Sequence, residues 1–346
     1  MSIELFIPIA FKNIPGSNNT DAVILAGDIG GTKANICLSH YLEGNLQTIK
    51  ESSYVTKDFS SFNDILTHFL EGQTQPDKIC FSVAGPVIEG KVKFTNLSWQ
   101  IDDDEISRYF GGRAVVILND LESTAYGLAA LKKEELSMLY AGTNETPGNI
   151  AILAAGTGLG EAGLFFNGHQ YSPFATEGGH CDFAPRTARD IAMLTFLLGR
   201  HEHVSWERLL SGDGIYTIWQ YLTQKEQKES PPWLLQQMEN TDPAPVISKA
   251  AQEKTCPVCM EVIEMFNRYL ATEAVNLILK LKATGGLYLA GGIAPKLLPL
   301  LNGNTWKDVF NKSGRMSQLL KEVTVYVVLN QKAPLMGATY YACLNM

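Results

Sequence analysis

A glycine-rich strand–turn–strand pattern that occurs twice constrains this chain most. The first copy is VILAGD (23–28), the turn through Ile29-Gly30-Gly31-Thr32-Lys33, and ANICLSH (34–40). The second is IAILAAGTGLGEAGLFFNGH (150–169). In each, an apolar strand runs into glycines and a second strand follows, which reads as a tight hairpin whose turn leaves the backbone open to a ligand. Ala26-Gly-Asp-Ile-Gly-Gly31 is echoed by Ala155-Gly-Thr-Gly-Leu-Gly160. The repeat is weak in residue identity. Its value lies in placing two glycine turns where they could face one ligand, in a duplicated domain with a cleft between its halves.

The rest of the chain alternates strands and helices, which makes the fold α/β. Residues 61–72 read as helix and 78–84 as a buried strand, followed by a Gly85-Pro86 turn and the strand-like KVKFTN (91–96). AVVILND (114–120) is a buried strand that leads into helical sequence. Residues 223–248, rich in Gln, Glu, Lys and Pro, read as surface loop with helical pieces. Apolar side chains at helical spacing fill 259–283 and stop at Gly285-Gly286. GLYLAGG (286–292) is a buried strand with a third glycine turn, 323–329 is a strand, and 334–343 is a closing helix.

A length of 346 residues suits two domains. The net charge of −8, from 28 basic and 36 acidic side chains, argues against a nucleic-acid surface, which needs a basic stripe. It leaves nucleotide binding open, because backbone N–H groups and Mg²⁺ neutralise phosphate locally. No apolar run reaches bilayer length, so no membrane partner is expected. The apolar stretch 1–11 lacks a basic start and a cleavage site, and residues 1–20 read as a peripheral extension without a role. The 6 scattered cysteines are no disulfide framework, which fits a cytoplasmic protein.

Two familiar fingerprints fail on inspection. Gly85-Pro-Val-Ile-Glu-Gly90-Lys91-Val92 nearly spells a P-loop, but Val92 stands where a hydroxyl must reach Mg²⁺ and Pro86 lacks an N–H. Gly158-Leu-Gly160-Glu-Ala-Gly163, with Asp182 further on, has dinucleotide-binding spacing, but a strand follows it where a helix N-terminus is needed. Cys256-Pro-Val-Cys259 lacks the second pair of a structural zinc site and reads as two thiols near a helix start.

The informative set is Asp28-Ile-Gly30-Gly31-Thr32-Lys33, Ser82-Val-Ala-Gly-Pro86, Thr95-Asn-Leu-Ser-Trp99, Asn119-Asp120, Gly156-Thr157-Gly158-Leu-Gly160, Glu177-Gly-Gly-His180-Cys-Asp182 and Ala290-Gly291-Gly292. Singly, each has an ordinary structural explanation. Asp28 alone reads as a carboxylate capping a turn, and Asn119-Asp120 as an Asx turn into the next helix. Glu207 reads as a solvated helix residue and His180 as a core histidine. Together, from about Asp21 to the C-terminus, they resemble the glucokinase family of the wider hexokinase and actin-like ATPase superfamily.

That resemblance implies a two-domain actin-like (ribonuclease H-like) ATPase fold with a central cleft. The smaller α/β domain would take residues 22–130 plus 332–346, the larger 131–331, with 1–21 as an N-terminal extension. The implied reaction is ATP-dependent phosphorylation of D-glucose on its 6-hydroxyl. Phosphoryl transfer asks a protein mainly for positioning and charge neutralisation. The resemblance makes Asp120 the general base, and Asn119, Glu177, His180 and Glu207 the residues that bind sugar hydroxyls. It assigns the ATP phosphates and adenosine to Asp28, Gly30, Gly31, Thr32, Gly156, Thr157, Gly158, Gly291 and Gly292, with Mg²⁺ held through water by Asp28. A homodimer is also implied.

The sequence departs from many members at Lys33, where they carry Asn. Zinc-binding relatives follow the Gly-His pair with a cysteine cluster; here only Cys181 adjoins His180, so no zinc is expected. A kinase for another hexose or amino sugar, such as fructose or N-acetylmannosamine, stays open as an alternative, as does a catalytically silent sugar sensor. A DNA-binding repressor is disfavoured, since about twenty residues before the first strand cannot hold a helix-turn-helix.

Overall fold

The structure is a computed structural model that describes residues 6–11, 21–94, 97–143 and 146–346. Thr95 and Asn96 of the motif set, and residues 1–5 and 12–20 of the N-terminal extension, lie outside the described residues. The chain divides into two compact units. The first comprises Met1–Glu135, Leu164–Ala175 and Asn330–Met346, the second Leu136–Gly163 and Thr176–Leu329.

The first unit contains β1 (Ala22–Ile29), β2 (Lys33–Leu42), β3 (Asn45–Val55), α1 (Phe62–Leu70), β4 (Lys78–Val83), β5 (Lys91–Lys93), β6 (Gln100–Asp102), α2 (Asp103–Tyr109), β7 (Val115–Asn119) and α3 (Asp120–Leu128). Its main sheet runs β3-β2-β1-β4-β7. β1 and β2 are antiparallel, whereas β1, β4 and β7 are parallel. Register then aligns their ends: Asp28 stands opposite Ser82, and Val83 stands opposite both Ile29 and Asn119. The carboxyl edge of such strands is where α/β sheets bind ligands.

Packing fixes that edge. On α1, whose N-terminus Ser61 caps, Ile65, Leu66 and Phe69 are fully buried, each contributing roughly 1.5–3 kcal/mol by leaving water. The C-terminal helix, Ala333–Asn345, lies so close to α3 that a Cβ on Gly127 would strike the Ala333 carbonyl, and one on Gly337 the Ser123 carbonyl. Ser123 Oγ donates to Pro334 O across this seam at 2.7 Å. The N-terminal stretch 6–11 is docked rather than peripheral. Ile7 and Ile9 are buried, Ala10 N donates to Tyr171 O at 2.8 Å, and Phe11 packs on Tyr126 of α3.

Along the middle of the chain lie β8 (Leu136–Tyr140), β9 (Ile150–Ala155), β10 (Leu159–Phe166), β11 (Tyr171–Thr176), α4 (Ala188–Leu198), α5 (Gly212–Gln224), α6 (Pro232–Asn240), α7 (Pro243–Gln252), α8 (Pro257–Leu281), β12 (Gly286–Ala290), α9 (Ile293–Leu297), α10 (Gly303–Asn311), α11 (Ser317–Glu322) and β13 (Val325–Val328). The sheet order is β11-β10-β9-β12-β13-β8, with β12 parallel to β9 and Ala290 opposite Ala154. That register brings the turn after β12 beside the end of β9. Gly291, at φ +79°, sits where a Cβ would strike the Ala155 carbonyl, so glycine is required there.

Residues 223–248, expected as surface loop with helical pieces, are helical over most of their length. Pro232 and Pro243 open α6 and α7 at their first turns, where a missing N–H costs nothing, and Asp242 caps α7. Cys256 and Cys259 are both buried at the start of α8, and burial pushes the Cys259 thiol up, away from reactivity. Among the described residues, no helix is long and apolar enough to cross a membrane.

Candidate active site

In the first unit, the site residues follow from the ends of β1 and β7. The hairpin between β1 and β2 closes through Gly30 N donating to Lys33 O at 2.8 Å. Thr56 braces it, its N–H on Thr32 O at 3.1 Å and its hydroxyl on Gly31 O at 3.0 Å. Thr32 and Lys33 are exposed at the tip. Asp28 lies back from it, its Oδ1 accepting from Ser82 Oγ at 3.1 Å. Burial pushes the Asp28 carboxyl above its ordinary range, against hydrogen bonds from Ser82 and Asn35.

Asn119 caps α3. Its Oδ1 accepts from Leu121 N at 2.9 Å and Glu122 N at 3.3 Å, while Nδ2 donates to Gly85 O at 3.1 Å. The Asx-cap reading is therefore correct for this side chain. One of its two amide hydrogens is left for a ligand. Asp120 is the first residue of α3, and Thr124 Oγ1 donates to its carbonyl at 2.7 Å. The cap and the buried α3 seam fix where this carboxylate stands.

In the second unit, the turn from Gly156 to Gly158 closes through Gly156 N donating to Gly158 O at 2.8 Å. Gly212, at the start of α5, donates its N–H to Gly156 O at 2.9 Å. Thr157 is exposed at the tip. The segment after this turn is the strand β10, as the rejection of a dinucleotide fingerprint required, and Asp182 pairs with His203 at 2.9 Å instead. The near-P-loop at 85–92 likewise leads into the strand β5, not a helix.

Glu177, His180 and Glu207 come together beside this turn. The His180 ring lies between two carboxylates, Nε2 at 4.0 Å from Glu177 Oε2 and Nδ1 at 3.9 Å from Glu207 Oε1. These separations exceed a hydrogen bond, so all three keep capacity for hydroxyl partners. Glu207 is not the solvated helix residue of the plain reading. It is half-buried in a short 3-10 turn, and its Oε2 accepts from Leu159 N at 3.0 Å. A Cβ on Gly158 would crowd that carboxylate. Gly291 and Gly292 sit at the neighbouring strand end, with Gly292 capping α9.

Whether these residues suit a divalent cation can be judged at Asp28. Its carboxylate is desolvated and offset only by neutral donors, so a positive charge beside it would restore the ionised form. Asp28 therefore fits a hydrated Mg²⁺. Asp102, Asp103 and Asp104 also cluster, but Asp102 is spent on Lys91 at 3.0 Å and on capping α2.

Sequence reasoning passed over Ser82 as a partner for Asp28, and it missed Glu161 and Glu273. Both are buried, Glu161 in β10 directly below Gly178 and Glu273 in α8. A buried carboxylate inside an apolar strand was the available signal for Glu161.

A glucokinase family model matches residues 25–345. The chain is 38% identical over 337 residues to the glucokinase of Nostoc sp., covering 92% of this chain and 98% of that one. It is 36% identical to the glucokinase of Synechocystis sp., covering 92% and 97%. Among solved structures, a glucokinase from an Antarctic psychrotroph superposes with a TM-score of 0.78 at 30% identity, covering 93% of this chain and 98% of that one. A ROK-family glucokinase from Streptomyces griseus, in complex with glucose and AMPPNP, shares the fold at a TM-score of 0.63 and 20% identity, covering 93% and 99%.

Proposed function

Because the chain belongs to the glucokinase family and is a glucose kinase, we propose that it moves the γ-phosphoryl group of ATP to the 6-hydroxyl of D-glucose using the residues described above. The observation that carries the assignment of residues is the meeting of Glu177, His180 and Glu207 beside the Gly156–Gly158 turn. Several directed acceptors on one face suit a polyol, and an acceptor left without its hydroxyl rejects the wrong isomer.

In this reading the two units are the family's smaller and larger domains, with expected boundaries of 22–130 plus 332–346 and 131–331, on either side of a central cleft. Glu177, His180, Glu207 and the remaining Asn119 amide hydrogen orient the sugar. Asp120 accepts the proton of the 6-hydroxyl as that oxygen bonds to the γ-phosphorus. The bond from phosphorus to the bridging oxygen breaks, and ADP leaves. Gly30, Gly31, Thr32, Gly156, Thr157 and Gly158 supply N–H and hydroxyl donors to the phosphates, and Gly291 and Gly292 lie against the adenosine. Mg²⁺, held through water by Asp28, would neutralise phosphate charge. Closure over the sugar excludes water, the competing acceptor. Cytoplasmic residence and a homodimer belong to the same proposal.

The test is turnover on a hexose panel with ATP and Mg²⁺. Selective turnover of glucose supports the reading. Preference for fructose or N-acetylmannosamine would keep the mechanism and overturn the sugar, and sugar binding without turnover would make the protein a sensor.

A further inference from the structure

Beneath the Glu177–His180 loop lie two carboxyl groups that the mechanism does not use. Glu161 is 1% exposed and Glu273 is 0% exposed, and their side chains are neighbours. Glu161 Oε1 and Glu273 Oε1 are buried without a donor. Two neighbouring buried carboxyls, each with an oxygen left without a donor, lack one thing, a hydrogen between them. Two ionised carboxylates at that range repel strongly enough that one stays protonated.

The surroundings count the same way. Asn276 Nδ2 donates to Glu273 Oε2 at 2.7 Å, and Lys280 Nζ stands 4.0 Å from Glu273 Oε1. Among the described residues, Lys280 is the one cation set against the two carboxyls, which matches a pair carrying one negative charge. Burial pushes both groups up, Glu273 to about 8.

The pair supports the loop directly. Glu161 Oε2 occupies the space that a Cβ on Gly178 would need. Gly178 N donates to Thr176 Oγ1 at 3.1 Å, and that hydroxyl donates onward to Glu161 O at 3.0 Å. A Cβ on Gly179 would strike the Leu159 carbonyl, so the loop rests on β10 with no side chain between. Any shift of the Glu161 carboxyl is passed to Gly178, which adjoins Glu177 and lies two residues before His180.

We propose that Glu161 and Glu273 share one proton and act as a positioning pair that holds the sugar-binding loop at its working height. This deepens the reading above and rests on Glu177 and His180 binding the sugar. The charged and titratable groups on the elements around the pair are Glu177 and His180 on the loop, Glu207 through Leu159, and Lys280 on α8. Losing the shared proton adds a second negative charge opposite Lys280 alone, and Glu177 and Glu207 add repulsion. The pair then opens and the loop moves.

The experiment is the pH dependence of the KM values for glucose and ATP in the wild type, Glu161→Gln, Glu161→Ala and Glu273→Gln, with thermal melts beside them. The wild-type glucose KM is expected to rise about fivefold or more between neutral pH and about pH 9, while the ATP KM stays level. Glu161→Gln supplies a permanent donor to Glu273, so the rise flattens. Glu161→Ala leaves Glu273 facing a void and raises the glucose KM about tenfold at every pH. If a Glu161 variant does not fold, Glu273→Gln makes the same test from the other side. A flat wild-type profile, a Glu161→Gln profile that keeps the wild-type rise, or parallel changes in both KM values would overturn the proposal. His180→Asn separates the two levels. If it leaves the glucose KM unchanged, the sugar-loop reading fails; if it raises that KM while the Glu161 and Glu273 variants behave as wild type, this inference alone fails.

Discussion

The two glycine hairpins look alike and are held differently. The β1–β2 turn closes on itself and carries its own carboxylate, Asp28, anchored by Ser82 at the adjacent strand end. The β9–β10 turn has no acid of its own. It is braced by the α5 N-terminus through Gly212 and by a borrowed carboxylate, Glu207, on Leu159 N. The repeat is thus one of backbone geometry and not of chemistry. The first hairpin can offer an anion to a cation, whereas the second can offer phosphate only N–H and hydroxyl donors.

The largest break in that comparison is Asp28→Asn. It keeps a side chain of the same shape for Ser82 and removes the charge, so kcat should fall by about 10²–10³, measured at saturating ATP and glucose. No change would mean the two hairpins are chemically equivalent. Glu207→Gln sharpens the contrast from the other side. Its carboxylate touches both the turn and His180, so the KM values for glucose and ATP should both rise, by about tenfold for glucose and less for ATP. A change confined to ATP would remove Glu207 from the sugar site.

A smaller effect tests the scaffold behind Asp120. Gly337→Ala forces a methyl onto the Ser123 carbonyl and should cost about 1–3 kcal/mol in a denaturant titration. An unchanged midpoint would show that the seam between α3 and the C-terminal helix has slack. The last break is the stability trend set by the buried pair in the second unit. The folded state keeps a proton there that the unfolded chain, with an ordinary glutamate value of 4.5, releases. Unfolding therefore becomes easier as pH rises from 4.5 to about 8, and the loss ends above that. Glu161→Gln should flatten this slope in melts across pH.

What could be read from the sequence follows the range of the interactions. Both hairpins, α8 and β12 were legible because periodicity and punctuating glycines are local signals. The helices of 223–248 were legible only as pieces, because Pro232 and Pro243 read as loop residues when they are helix openers. Asp28 and Asn119-Asp120 stood out through motif, and Asn119 shows the cap reading, with its oxygen on α3. Glu161 and Glu273 belong to no shared motif and lie far apart in the chain, so only the fold brings them together. Glu207 was named through the resemblance, and the fold adds its bond from Leu159 N and its place beside His180.

Asp120 is proposed as the base, acting on a sugar whose hydroxyls Asn119, Glu177, His180 and Glu207 are proposed to bind. The most direct measurement compares Asp120→Asn with the wild type, reading glucose turnover by a coupled assay and glucose binding by tryptophan fluorescence. A kcat reduced by about 10²–10⁴ with glucose binding changed only a few-fold is the expected result. Near-normal turnover in Asp120→Asn would remove Asp120 from the role of base.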